Sequence, residues 1–138
     1  HRARKLAPIN IRRIRATPMG GGWKDWKDKS LILKCHKKKS GKSYRSVYVR
    51  MRWNEVSPTL TTQCTGLGNG RYGHPEQDRA ISLRESSILQ SFPKKYKFIS
   101  TKGKFHPSII EKHIGNAVPV KLGKAIAKSI KNHLQQNA

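Results

Sequence analysis

Residues 115–127 read Gly-Asn-Ala-Val-Pro-Val-Lys-Leu-Gly-Lys-Ala-Ile-Ala, a compact loop directly before an amphipathic helix. Val118, Leu122, Ile126, Ile130 and Leu134 recur every four residues, while Lys121, Lys124, Lys128 and Lys131 occupy other faces. That is the period of a helix with one apolar stripe, predicted here from about Ala117 to Leu134. Asn116 can cap it, Pro119 suits its first turn, and a loop feeding a helix N-terminus is a natural ligand-contacting site. A stripe this long requires a second surface to cover it.

Upstream, Arg79-Ala80-Ile81-Ser82-Leu83-Arg84-Glu85 opens another helix near Ser82. Ser82 and Glu85 fit the S-x-x-E capping box, in which each side chain bonds the other's backbone N–H. Ile88, Leu89 and Phe92 are expected on its buried side until Pro93 ends it. Residues 99–108, with Gly103 and Pro107, read as a polar connector. Towards the N-terminus, residues 1–22 read as an extended basic entry. Leu31-Ile32-Leu33 is strand-like, and 37–41 is a lysine-rich loop. Ser46-Val47-Tyr48-Val49-Arg50-Met51-Arg52-Trp53 is rich in β-formers, Pro58–Thr62 is β-prone, and a glycine-punctuated loop follows. The outline is an α+β fold: a small β-rich domain over residues 1–108, then a loop and long helix over 109–138.

Thirty Lys and Arg against seven Asp and Glu leave a net charge of +23. Residues 1–60 carry 17 basic and 3 acidic side chains and the remainder 13 and 4, so the excess is not one tail on a neutral body. Such a field selects a polyanion, and nucleic acid leads. Charge alone fits a non-catalytic basic nucleic-acid-binding protein of the ribosomal kind equally well. No apolar run approaches the roughly 20 residues that span a bilayer, so no membrane partner is expected. Cys35 and Cys64 lie far apart with no CxxC, which points to a reducing, cytoplasmic setting and to no metal site.

Three blocks then carry a family resemblance. Arg79–Glu85 with Leu89-Gln90, Phe92-Pro93 and Tyr96 is similar to the ninth sequence motif of bacterial DNA (cytosine-5) methyltransferases. Gly115-Asn116-Ala117-Val118-Pro119 resembles their tenth motif. Ser57-Pro58-Thr59-Leu60-Thr61-Thr62 resembles the Thr-Leu core of their target-recognition domain. The blocks stand in the family's order and approximate spacing, and the likeness extends from about Ile9 to the C-terminus.

The resemblance implies a protein that binds double-stranded DNA from which a cytosine is extruded. It implies that Thr59 holds the backbone near the flipped nucleotide and that the adjacent Leu60 and Thr61 belong to the DNA-binding segment. It puts Gln63, Gly66, Asn69 and Arg71 in a major-groove reading loop, where glycine permits close approach and Gln, Asn or Arg can read base edges. A plain hairpin loop is the alternative for any one of them. Asn116, Ala117 and Val118 match positions lining the S-adenosylmethionine pocket, although Asn116 can equally serve only as a cap. Glu85 is expected to be structural rather than a catalytic acid or base, and Arg79 to serve domain packing.

The family's nucleophile is a cysteine following a proline, and no Pro-Cys dipeptide occurs here: Cys35 follows Lys34 and Cys64 follows Gln63. Neither the Glu-Asn-Val triplet nor the F-x-G-x-G loop is present. No catalytic residue is therefore assigned, and this chain alone is expected to be inactive. The expected arrangement is a split enzyme of a restriction–modification system, with a second polypeptide carrying the catalytic domain and most of the S-adenosylmethionine site. A C-terminal fragment of one longer chain is the alternative.

Overall fold

The computed structural model describes residues 3–99 and 104–137. Pro8 at the first helical position starts α1 (Pro8–Arg15), which buries Ile14. Two one-turn helices follow, α2 (Lys34–Lys37) and α3 (Lys39–Lys42), then α4 (Leu83–Leu89), α5 (Pro107–Asn116) and α6 (Val120–Gln136). The segments between are turns and extended chain, with 3-10 turns at Trp23–Asp25, Lys29–Leu31 and Leu67–Asn69.

No β-strand forms among the described residues, which overturns the α+β expectation. Met19, Arg50, Gly73 and Ala80 line up through isolated bridges instead. The β-prone run from Ser46 to Trp53 is broken at Tyr48, whose φ of 57° is left-handed. Pairing is confined to single residues: Gly73 N–H donates to the Val49 carbonyl and Met51 N–H to the Gly73 carbonyl, both at 2.9 Å. The other expected strands fail as well. Leu31 closes a 3-10 turn, and Pro58–Thr62 stays unpaired with any strand. The expected loop over 37–41 is the junction of α2 and α3, in which only Lys38 is non-helical, and the extended entry contains α1.

Arg50 holds these segments together. Its buried guanidinium donates to the carbonyls of Ile14 (2.7 Å), Thr17 (3.0 Å) and His74 (3.0 Å) and to the Asp78 carboxylate (3.1 Å). It thereby ties the end of α1 to the 74–78 turn and satisfies carbonyls left over where the helix ends.

Two apolar clusters form the interior. Ile14, Trp23, Trp26, Leu31 and Tyr48 anchor the first. Leu60, Cys64, Tyr72 and Ile81 join Ile110 and Ile114 of α5 in the second. The capping box at α4 is present: Ser82 N–H donates to Glu85 Oε2 (2.7 Å) and Glu85 N–H to Ser82 Oγ (3.2 Å). Its buried face is not the expected one. Ser86 and Ser87 are both 0% exposed, while Ile88 and Leu89 are each 40% exposed. Small serines let α4 approach α5 closely, and the branched side chains turn outward. The expected connector over 99–108 lies partly outside the described residues, and Pro107 within it opens α5.

α6 differs from every other long element, because none of its residues is buried. Val118, Val120, Leu122, Ile126, Ile130 and Leu134 are between 50% and 69% exposed. The predicted stripe exists, with nothing covering it among the described residues.

Candidate nucleic-acid interface and cofactor-side loop

The side chains from Thr59 to Arg71 are sorted by the second core. Leu60 is buried beside Ile110 and Ile114, and Gly66 is buried at the start of the Leu67–Asn69 turn. Both support the surface from within. Thr59, Thr61, Gln63, Asn69 and Arg71 remain exposed. Tyr72 holds the first two in place: its hydroxyl donates to the Thr59 carbonyl (3.1 Å) and accepts from Thr61 N–H (3.2 Å). Sequence reading missed Tyr72 in this role.

Thr59 and Arg71 meet in one groove of about 700 Å³, whose walls also carry Arg45, Arg52 and Ser57. Arg52 is paired with Glu55 at 3.0 Å. Arg45 and Arg71 have no carboxylate or carbonyl partner among the described residues. Two unpaired guanidinium groups facing one groove suit phosphate oxygens, which they can engage bidentately. Gln63 and Asn69 are exposed but do not line this groove. Arg45 and Arg52 were not among the sequence-derived candidates, although a signal existed: no acidic residue lies between Asp28 and Glu55, a stretch dense in lysine and arginine.

The loop from Gly115 to Pro119 is fixed from two sides. Gln90 donates its amide to the carbonyls of Ile114 (3.0 Å) and Ala117 (3.1 Å). Gly115 lies on the backbone of Thr61 and Thr62, where any β-carbon would overlap the Thr61 carbonyl. Asn116 is the last residue of α5, so it does not cap α6; Pro119 occupies that place. Asn116 and Val118 are exposed and Ala117 half-buried. The Asn116 carboxamide bonds to nothing among the described residues, and two donors and an acceptor are thus available to a polar ligand.

Four further ionisable groups, Arg79, Glu85, Cys64 and His74, are committed to structure. Arg79 grips both Glu85 oxygens, at 2.7 and 2.8 Å, and this pairing holds the Glu85 carboxyl down to about 2. Burial pushes the Cys64 thiol up, away from the thiolate a nucleophile requires. Burial also lowers the His74 pKa, and its Nδ1 accepts the N–H groups of Glu76 (3.1 Å) and Gln77 (3.0 Å), which keeps that nitrogen unprotonated. No helix among the described residues is long and apolar enough to cross a membrane.

An arginine-lined groove thus begins at Thr59, and Gly115 joins the following Thr61 and Thr62 to a Gly-Asn-Ala-Val-Pro loop. The chain belongs to the C-5 cytosine-specific DNA methylase family, whose profile matches residues 5–132. It is 57% identical over 135 residues to the type II methylase M.HgiDII of Herpetosiphon aurantiacus, covering 98% of this chain and 38% of that protein. Identity to the type II methyltransferase M.Sau96I of Staphylococcus aureus is 36% over 126 residues, 89% of this chain and 27% of the relative. Identity to DNA (cytosine-5)-methyltransferase 3 of Arabidopsis thaliana is 32% over 150 residues, 97% of this chain and 10% of the relative. The chain thus spans less than two fifths of the length of these relatives.

Proposed function

We propose that this chain is the target-recognition and pocket-closing part of a DNA (cytosine-5) methyltransferase of a restriction–modification system. The chemistry belongs to a catalytic part supplied by a second polypeptide. Double-stranded DNA lies along the groove of Thr59, Arg45 and Arg71, with Gln63 and Asn69 directed at base edges and Thr59 holding the backbone beside the extruded cytosine. Asn116, Ala117 and Val118 form one wall of the S-adenosylmethionine site, which supplies the methyl group when filled. The exposed carboxamide of Asn116 fits a polar group of that ligand. The stripe of α6 is the seam to the catalytic part.

One observation carries this reading: the contact of Gly115 with Thr61 and Thr62. It supports a DNA-side segment adjoining a cofactor-side loop, as a methyl transfer between the two ligands demands. The relatives' names as DNA methylases agree with it.

Mixing tests the proposal. Labelled S-adenosylmethionine and duplex DNA are incubated with this chain, with a complementary catalytic part, and with both. Label should enter DNA only in the mixture. Methylation by this chain alone would overturn the division of labour, and a mixture no better than the catalytic part alone would overturn the recognition role.

A further inference from the structure

Glu111 is the most deeply buried carboxylate of the described residues, at 3% exposure, in a chain carrying thirty cations. It is not spent on a lysine. Its Oε1 accepts both the backbone N–H and the hydroxyl of Thr65, each at 2.6 Å, and Oε2 lies 3.5 Å from Arg4, whose side chain is half-exposed. An incompletely neutralised carboxylate is costly to bury, so its worth lies in what its two directional bonds hold.

They hold the turn that carries Gln63. Glu111 and Gly115 are four residues apart on α5 and therefore share a face. Gly115 sets the position of Thr61 and Thr62, Glu111 sets Thr65, and Ile110 and Ile114 between them pack in one cluster with Leu60 and Cys64. The turn closes on itself through Gly66 N–H to the Gln63 carbonyl at 3.0 Å. Gln63 stands exposed between two fixed points, both supplied by one helix.

We infer that Glu111 is a positioning residue for target recognition: through Thr65 it fixes the direction in which Gln63 leaves the body, and so the choice among DNA sequences. This rests on the reading that the 61–66 turn faces DNA. A merely structural Glu111 would lower stability and leave sequence choice intact. A positioning Glu111 changes sequence choice as well.

The test is selection of bound duplexes from a random pool by the reconstituted enzyme, for the native chain, Glu111→Ala, Glu111→Gln and Thr65→Val. Loss of one well-placed base contact is worth roughly tenfold or more in discrimination. Glu111→Ala should flatten the preference by that factor at the positions the native enzyme reads. Glu111→Gln keeps an acceptor oxygen for Thr65 and should stay within about threefold of native. Thr65→Val, which loses only the hydroxyl bond, should fall between. Amide hydrogen exchange on the chain itself supplies a second reading, and exchange of Thr65 and Gly66 should quicken in Glu111→Ala.

An unchanged sequence preference in Glu111→Ala, or unchanged exchange in the turn, would overturn the inference. So would a native enzyme that selects no sequence. Retained preference without methylation would strike only the methyltransferase reading.

Discussion

Helices α5 and α6 are consecutive, similarly amphipathic and separated only by residues 117–119, yet they lead opposite lives. α5 buries Ile110, Glu111 and Ile114 and supplies part of the second core. α6, nearly twice as long, buries nothing. An apolar stripe exposed along seventeen residues is not a stable resting state for a surface in water. The contrast separates what the chain does for itself, which ends at α5, from what it offers to another surface, which begins at α6. Asn116 to Val118, the residues proposed to wall the cofactor site, sit at the junction.

Substitutions sharpen this contrast when ranked by size. Ile114→Ala removes a fully buried side chain and should cost about 2–5 kcal/mol in chemical denaturation of the isolated chain. Gly115→Ala drives a methyl group into the Thr61 carbonyl and should cost about 1–3 kcal/mol. Ile126→Ala on α6 should change the isolated chain's stability by no more than about 0.5 kcal/mol. In the mixture with a catalytic part, however, it should weaken assembly measurably. A large stability loss from Ile126→Ala in isolation would show that α6 packs on its own body and would break the comparison.

Acidity probes the frame that holds α5 in place. Glu85 has a folded pKa of about 2 against an ordinary 4.5, so its contribution is complete above 4.5 and is lost as pH falls from there towards 2. His74 has a folded pKa below its ordinary 6.5, so the unfolded chain takes up the proton first. Stability therefore also declines as pH drops through and below 6.5. Buried His36 is lowered in the same way and adds to the earlier loss. Thermal denaturation across this range should show two successive losses, the earlier reduced in His74→Gln and the later reduced in Glu85→Gln.

Some of this was legible in the residues and some was not, for identifiable reasons. The capping box of Ser82 and Glu85 is a local arrangement, complete within four residues, and it stands as read. The four-residue period of α6 was equally visible because nothing tertiary interferes with it. The β-rich body was misjudged because β-propensity records side-chain fit and cannot foresee a left-handed Tyr48 or a buried Arg50 bonded to the end of α1 and the 74–78 turn. α1 and α5 were missed although each has a proline at its start, since basic and polar neighbours made both stretches look like loops. At the site, Thr59 and Arg71 do share a groove, but Arg45 joins them, and Tyr72 and Glu111 brace the Thr59–Thr65 segment from within, only through the fold.

Hydrogen exchange across Val120–Gln136, with and without a complementary catalytic part, tests the central claim most directly. Exchange along α6 should be fast in the isolated chain and should slow strongly on mixing, in step with the appearance of DNA methylation. Methylation restored with α6 exchanging as before would contradict it.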